Sequence, residues 1–119
     1  MHQYTAKTFN IPKLAGISEK QAEEHLKLYQ GYVKHSNLIG EKVALLEKAS
    51  EDNSYMINEL LRRLGFEWDG MKLHEYYLHS IEDGASPLKS DSTLGKKIAE
   101  QYGSFESWLE ACAKMCLTR

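Results

Sequence analysis

Two histidines, His25 and His74, are the residues of this sequence best placed to do metal chemistry. His25 lies in the segment EEHLKLYQGYV and His74 in the segment WDGMKLHEYYL, both of helical character. A neutral imidazole is a common ligand for iron, manganese and zinc, and its second ring nitrogen normally donates to a nearby acceptor. Two helices that fold back on each other can bring these rings together and leave coordination positions open. The pair therefore predicts half of a redox-metal site.

Each histidine, taken alone, also has a structural interpretation. An imidazole on an apolar helical face is more often a core residue hydrogen-bonded to a backbone carbonyl than a ligand. Two tyrosines follow each histidine in sequence: Tyr29 and Tyr32, Tyr76 and Tyr77. Aromatic residues at helical spacing usually pack, but tyrosines near a metal can orient a water, relay protons or narrow a channel. Their coincidence with both histidines favours the site. The remaining histidines are expected at the surface or the terminus, without a role: His2, His35 and His79.

Composition excludes several classes of partner. The chain has 119 residues, 42% of them hydrophobic and 27% charged, with a formal net charge of −2. Its 15 Lys and Arg are interleaved with 17 Asp and Glu, so nothing favours binding to nucleic acid or an anionic membrane. No stretch approaches the ~20 apolar residues of a membrane span, and the segment MHQYTAKTFNIPKL lacks the apolar centre of a signal peptide. We therefore expect a cytoplasmic protein with no nucleic-acid or membrane partner.

The first half of the chain predicts an extended arm followed by long helices. Pro12 and Gly16 discourage a helix over residues 1–17. Ser18 with Gln21 forms a capping-box pattern that begins a helix reaching to about residue 49. Its apolar stripe recurs at alternating spacings of three and four: Ala22, His25, Tyr29, Tyr32, Ser36, Ile39, Val43 and Leu46. A second helix is predicted to end at Gly65, and a third to run over residues 69–81 after a short break.

The second half predicts two shorter helices. The loop at residues 83–87 is the best boundary, which gives domains at 1–86 and 87–119. Ser92 and Ser104 are the expected caps of these helices. The apolar face of the last one is expected to have little to pack on: Phe105, Trp108, Leu109, Cys112 and Cys116. The two cysteines are a weak zinc signal, and we expect small buried residues in a reducing compartment. No alternating strand is convincing, so the chain is predicted to be all-α.

Four segments in this order resemble the iron/manganese superoxide dismutases. They are FNIPKLAGISEKQAEEHLKLYQGYVKHSN, then FEWDGMKLHEYYL, then a polar loop, and then YGSFESW. The resemblance extends from about Thr8 to Met115. It implies the N-terminal antiparallel long-helix hairpin of that fold, followed by the first helices of an otherwise missing α+β C-terminal domain.

The resemblance also implies an activity and a site. His25 and His74 take the positions of the first two metal ligands, with one iron or manganese ion per complete site. The implied reaction is disproportionation of superoxide to dioxygen and hydrogen peroxide. Tyr32 takes the position of the active-site tyrosine; it lies one residue nearer to the first ligand than is usual in the family, so Tyr29 stays an alternative. Gly70 stands where manganese-type members carry glycine and iron types often glutamine, which favours manganese.

Two departures from the family pattern limit this implication. The Asp-x-Trp-Glu-His segment that carries the other two ligands does not occur, and Cys116 to Arg119 replace the expected Gly-Trp segment. We therefore expect the chain alone to bind metal weakly and to dismutate poorly. The alternative is a non-catalytic helical fragment or interaction module that associates through its exposed apolar face, with a homodimer as one form. A two-histidine zinc or metal-storage hairpin is a third interpretation.

Overall fold

In a computed structural model, residues 2–84 and 86–118 are described, and over these residues the chain forms four α-helices and no strand. The helices are α1 (Glu19–Leu46), α2 (Ser54–Ile81), α3 (Thr93–Tyr102) and α4 (Phe105–Cys116). The chain divides into two compact units, residues 1–85 and 86–119. Over the described ranges, no helix is both long and apolar enough to cross a bilayer. The predicted all-α fold is confirmed.

Helix α1 begins at the predicted cap. The Ser18 hydroxyl accepts a hydrogen bond from the Gln21 N–H, and the Gln21 side chain accepts one from the Ser18 N–H. This reciprocal pair satisfies two N–H groups that the helix itself leaves free. The buried side of the helix then recurs at spacings of one to four residues: Tyr29, Val33, Ser36, Ile39, Gly40 and Val43. Most of the predicted apolar stripe therefore lies on the packed side of α1.

Helix α2 is one uninterrupted helix, so the predicted break after Gly65 is wrong. Gly65 does not adopt the positive φ of a helix-ending glycine. A glycine inside a helix costs about 1 kcal/mol relative to alanine, which packing of the surrounding turns can outweigh. The buried positions Glu67, Met71 and Leu78 continue one face at spacings of four and seven residues across the supposed break. Glu67, a charged residue that sequence patterns do not assign to a core, is one of the side chains that continue this face.

The first unit is an antiparallel hairpin of α1 and α2. Successive residues of α1 meet successively earlier residues of α2, from His25 beside Tyr77 to Tyr32 beside Phe66. Its core consists of Tyr29, Val33, Met71 and Leu78. Five partly buried residues pack against this core: Tyr4, Phe9, Ile11, Leu26 and Tyr32. The arm that precedes α1 therefore contributes to the core.

The arm is also fixed by hydrogen bonds to α1 and to the residues that follow α2. The Asn37 side chain bonds the backbone of Tyr4 twice, accepting from its N–H and donating to its carbonyl, both at 2.8 Å. Farther along, the Asn10 N–H donates to Glu82 at 3.1 Å, and the Asn10 side chain donates to Asp83 at 2.7 Å. These hydrogen bonds hold the arm in place at Tyr4 and Asn10 without regular secondary structure.

The second unit consists of α3 and α4, which begin at the predicted caps. The Ser92 hydroxyl accepts from the Gly95 N–H, and the Ser104 hydroxyl accepts from the Ser107 N–H. Among the described residues of α4, none is buried. Cys112 is half-buried, whereas Cys116, the last residue of the helix, is exposed. The expectation that both cysteines are buried is therefore wrong for Cys116.

A buried hydroxyl in α1 gives a stability prediction. Ser36 is almost completely buried, and its hydroxyl has no hydrogen-bond partner among the residues that the structure describes. Ser36→Ala removes this group and should raise the free energy of unfolding by about 1 kcal/mol, measured by urea denaturation. The control is Ser80→Ala, which makes the same change in α2 but loses the hydrogen bond to the Tyr77 carbonyl. Equal effects of the two substitutions would contradict the prediction.

Candidate metal centre

The hairpin brings His25 and His74 together. His25 lies roughly two turns after the start of α1, and His74 roughly two turns before the end of α2. In an antiparallel pair these positions are level with each other. The two ring centroids are 4.8 Å apart, and the ring planes meet at 84°. The predicted proximity of the two imidazoles is thus present in the structure.

His74 has a fixed orientation. Its Nδ1 lies 2.7 Å from the carbonyl oxygen of Gly70, one turn earlier in α2. A carbonyl can only accept, so Nδ1 carries the proton, and in the neutral ring Nε2 is the nitrogen with the lone pair. This is the arrangement that metal-ligating histidines usually show, because the hydrogen bond fixes both tautomer and ring direction. In this orientation Nε2 is the ring nitrogen of His74 that is available to a metal.

The surroundings of His25 favour its neutral form. Partial burial lowers the pKa of His25, and the neighbouring His74 lowers it further. On one side the ring borders a mainly apolar cavity of about 200 Å³. The arm supplies three of the residues that line this cavity, and α2 supplies three more: Ile11, Leu14, Ile17, Tyr77, Leu78 and Ile81. A neutral imidazole is the form that binds metal ions.

Two tyrosine rings lie against the histidine pair. The Tyr32 ring centroid is 5.0 Å from that of His74, and the Tyr77 centroid is 4.9 Å from that of His25. Tyr32 can lie this close because position 70 is glycine. A Cβ at Gly70 would come within 2.5 Å of the Tyr32 ring. Gly70 therefore accepts the His74 hydrogen bond through its carbonyl and leaves space for Tyr32.

Tyr29 and Tyr76 lie elsewhere. Tyr76 is 71% exposed. Tyr29 is buried in the core, where its hydroxyl accepts from the Lys7 N–H at 2.8 Å and donates to Glu75 at 3.4 Å. Sequence spacing left Tyr29 open as an alternative to Tyr32. Of the two, Tyr32 is the one whose ring contacts a histidine of the pair, whereas the hydroxyl of Tyr29 is engaged with the arm.

Glu75 follows His74 in sequence but forms a separate ionic cluster. It is buried, and its carboxylate accepts from Lys7 Nζ at 2.8 Å and from Lys72 Nζ at 3.1 Å. Burial by itself would raise the pKa of Glu75, but the two lysines outweigh it and hold that pKa below its ordinary value. Only the contact with Lys72, one turn away on the same helix, is indicated by its spacing in the sequence. Lys7 lies in the arm, and nothing in the sequence pairs it with Glu75.

Glu67 is a second buried carboxylate that the sequence did not single out. Its Oε1 accepts from Arg63 Nε at 2.8 Å, and its Oε2 lies 3.7 Å from His35 Nδ1 on α1. The i, i+4 spacing of Arg63 and Glu67 was a usable signal for the first contact. The two carboxylates brace α2 against the arm and α1, and neither joins the histidine pair.

The donor set fits a metal only in part. Within residues 2–84 and 86–118, no three of the His, Cys, Asp and Glu side chains gather closely enough to hold an ion. Two neutral imidazoles suit iron, manganese or zinc as ligands, but they bring no negative charge. The described residues therefore offer two candidate ligands, and a stable centre needs more.

Comparison with known proteins finds a similar sequence. The iron superoxide dismutase of Cupriavidus metallidurans is 36% identical to the chain over 97 residues, which are 81% of the chain and 47% of that protein. This chain is a relative of the iron superoxide dismutases. It spans about half the length of the dismutase it matches. No protein-family profile and no solved structure matches the chain. The helical hairpin with its paired histidines is thus found in a dismutase-related sequence.

Proposed function

We propose that this chain carries two metal ligands of a superoxide dismutase-like centre, His25 and His74, with Tyr32 as the tyrosine beside them. One observation carries the proposal: two imidazoles 4.8 Å apart in a chain 36% identical to an iron superoxide dismutase. The role of the residues is inferred from their geometry. The Gly70 carbonyl holds Nδ1 of His74, the pKa of His25 is lowered by burial and by His74, and the Tyr32 ring lies beside that of His74.

The chemistry follows from what each group can do. Iron or manganese, when bound, supplies the change of oxidation state by which superoxide is disproportionated to dioxygen and hydrogen peroxide. Peroxide formation consumes protons, so a hydroxyl that can hold or pass a proton beside the ligands is useful. Tyr32 provides such a hydroxyl. The Gly70 carbonyl keeps the His74 proton on Nδ1 and therefore keeps Nε2 available. Glycine at position 70 favours manganese and the relative is an iron enzyme, so either metal suits the proposal.

We propose further that the centre is incomplete on this chain alone. Two neutral imidazoles with no carboxylate beside them neither offset the charge of the ion nor enclose it. Binding is then weak and dismutation is slow, unless a second copy or another segment supplies the remaining ligands. A homodimer is the simplest such assembly, and the cytoplasm is the location we propose.

The test is superoxide disproportionation by the metal-loaded chain after unbound metal has been removed. We expect a low rate in the unchanged protein and a loss of about tenfold or more in His74→Ala, because one of two ligands is removed. The control is His79→Ala, which removes an exposed histidine one turn farther along α2 and should retain the rate. A rate that survives in His74→Ala, or no rate at all in the unchanged chain, would count against the proposal.

The second candidate function is an interaction module. Helix α4 carries apolar side chains that are exposed to solvent. Phe105 and Leu109 lie in the helix, and Leu117 directly follows it. Such side chains can drive association with another apolar surface. A chain with no dismutase activity that self-associates, and that becomes monomeric in Leu109→Glu, would favour this function.

A further inference from the structure

Helix α4 carries a cluster of sulfur atoms that the proposed centre does not use. Both cysteines of the chain lie in this helix, and the segment Cys112-Ala-Lys-Met-Cys116 adds the thioether of Met115. On a helix, positions i, i+3 and i+4 share one face. Cys112, Met115 and Cys116 therefore present two thiols and a thioether on the same side of the last turn.

The three sulfur groups are accessible and chemically free. Neither cysteine is in a disulfide; Cys112 is half-buried and Cys116 is exposed. Met115 is 67% exposed, so its thioether is accessible. The one charged residue within the segment, Lys114, points elsewhere, because its Nζ lies 2.8 Å from Glu110 Oε1 in an i, i+4 ion pair. The ammonium group of Lys114 is therefore engaged by Glu110.

The composition of the cluster selects the type of ion. Thiolate and thioether ligands favour soft metals, copper(I) in particular, whereas structural zinc almost always takes four ligands. Copper(I) is satisfied by two or three sulfur atoms. The cluster also lies at the C-terminal end of α4, where the helix carries partial negative charge and a cation is favoured. We propose that Cys112, Met115 and Cys116 form a binding site for one copper(I) ion.

The experiment is an anaerobic titration of the whole chain with copper(I) in competition with a chromophoric chelator. Trp108 lies one turn before Cys112 and reports binding by fluorescence; Trp68→Phe removes the other tryptophan of the chain. We expect one copper(I) per chain, and an affinity about a hundredfold lower in Cys112→Ser or Cys116→Ser. Met115→Leu should lower affinity by about tenfold, while Met56→Leu, a change at another exposed methionine, should not.

A rearranged variant separates this site from two thiols acting independently. Lys114→Cys with Cys116→Ser keeps two cysteines but places them at i and i+2, which do not face each other. We expect it to bind copper(I) as weakly as Cys116→Ser alone. Equal affinity of the rearranged and unchanged chains, or one copper shared by two chains, would overturn the proposal. The double variant His25→Ala/His74→Ala should retain copper binding, so the result is independent of the dismutase-like centre.

Discussion

Met71→Ala is expected to lower the free energy of unfolding of the hairpin by about 2–5 kcal/mol. Met71 is 1% exposed and packs with Tyr29, Val33 and Leu78 in the core between α1 and α2. Removing most of its side chain loses buried apolar area and leaves a cavity that the two helices can close only partly. Urea denaturation followed by far-ultraviolet circular dichroism measures the change.

Met56→Ala is the matched control for this loss. Met56 lies in the same helix and is 54% exposed, so the identical substitution there should change stability by no more than about 0.5 kcal/mol. A difference between the two variants isolates the contribution of the buried position. If both methionines gave equal small changes, the core between α1 and α2 would not be as described.

Gly70→Ala is expected to disturb both the fold and the histidine pair. The added Cβ would lie 2.5 Å from Cε1 and 2.6 Å from Cδ1 of Tyr32, so the ring has to move away from His74. Overpacking of this kind costs about 1–3 kcal/mol, which exceeds the gain of about 1 kcal/mol from replacing a helical glycine by alanine. We expect a net loss of stability and a changed environment of Tyr32 and His74, measured by denaturation and by NMR of the two rings.

Gly65→Ala tests the same change without the contact. Gly65 also lies inside α2, and a Cβ there meets no atom within 4 Å. This variant should gain about 1 kcal/mol, with the Tyr32 and His74 signals unchanged. A stability gain of the same size in both variants would show that the Tyr32 ring does not occupy the space beside Gly70.

The elements that follow local sequence rules were predictable. Ser18, Ser92 and Ser104 cap their helices as expected, because capping depends on a few neighbouring residues. The proximity of His25 and His74 followed from two long helices folding back on each other. The predicted break at Gly65 was wrong because packing of α2 outweighs the low helix propensity of glycine. The packed face includes two buried glutamates, which sequence patterns do not assign to a core.

The contacts that position the histidine pair depend on distant parts of the chain. Spacing along α1 could not decide between Tyr29 and Tyr32, since both lie on the packed side of the helix. In the structure the two tyrosines differ in their surroundings: Lys7 of the arm bonds Tyr29 and Glu75, and the missing side chain of Gly70 leaves space for Tyr32 beside His74. Such contacts arise only once the arm and both helices have been assembled.

The metal content of four proteins tests the central claim most directly: the unchanged chain, His25→Ala, His74→Ala and His79→Ala. Each is equilibrated with manganese or iron by dialysis at the same free concentration, and the bound metal is measured per chain by elemental analysis. If His25 and His74 are the ligands, the unchanged chain and His79→Ala bind equal amounts, and the other two bind about tenfold less. Unchanged metal uptake in His25→Ala would contradict the assignment of the centre.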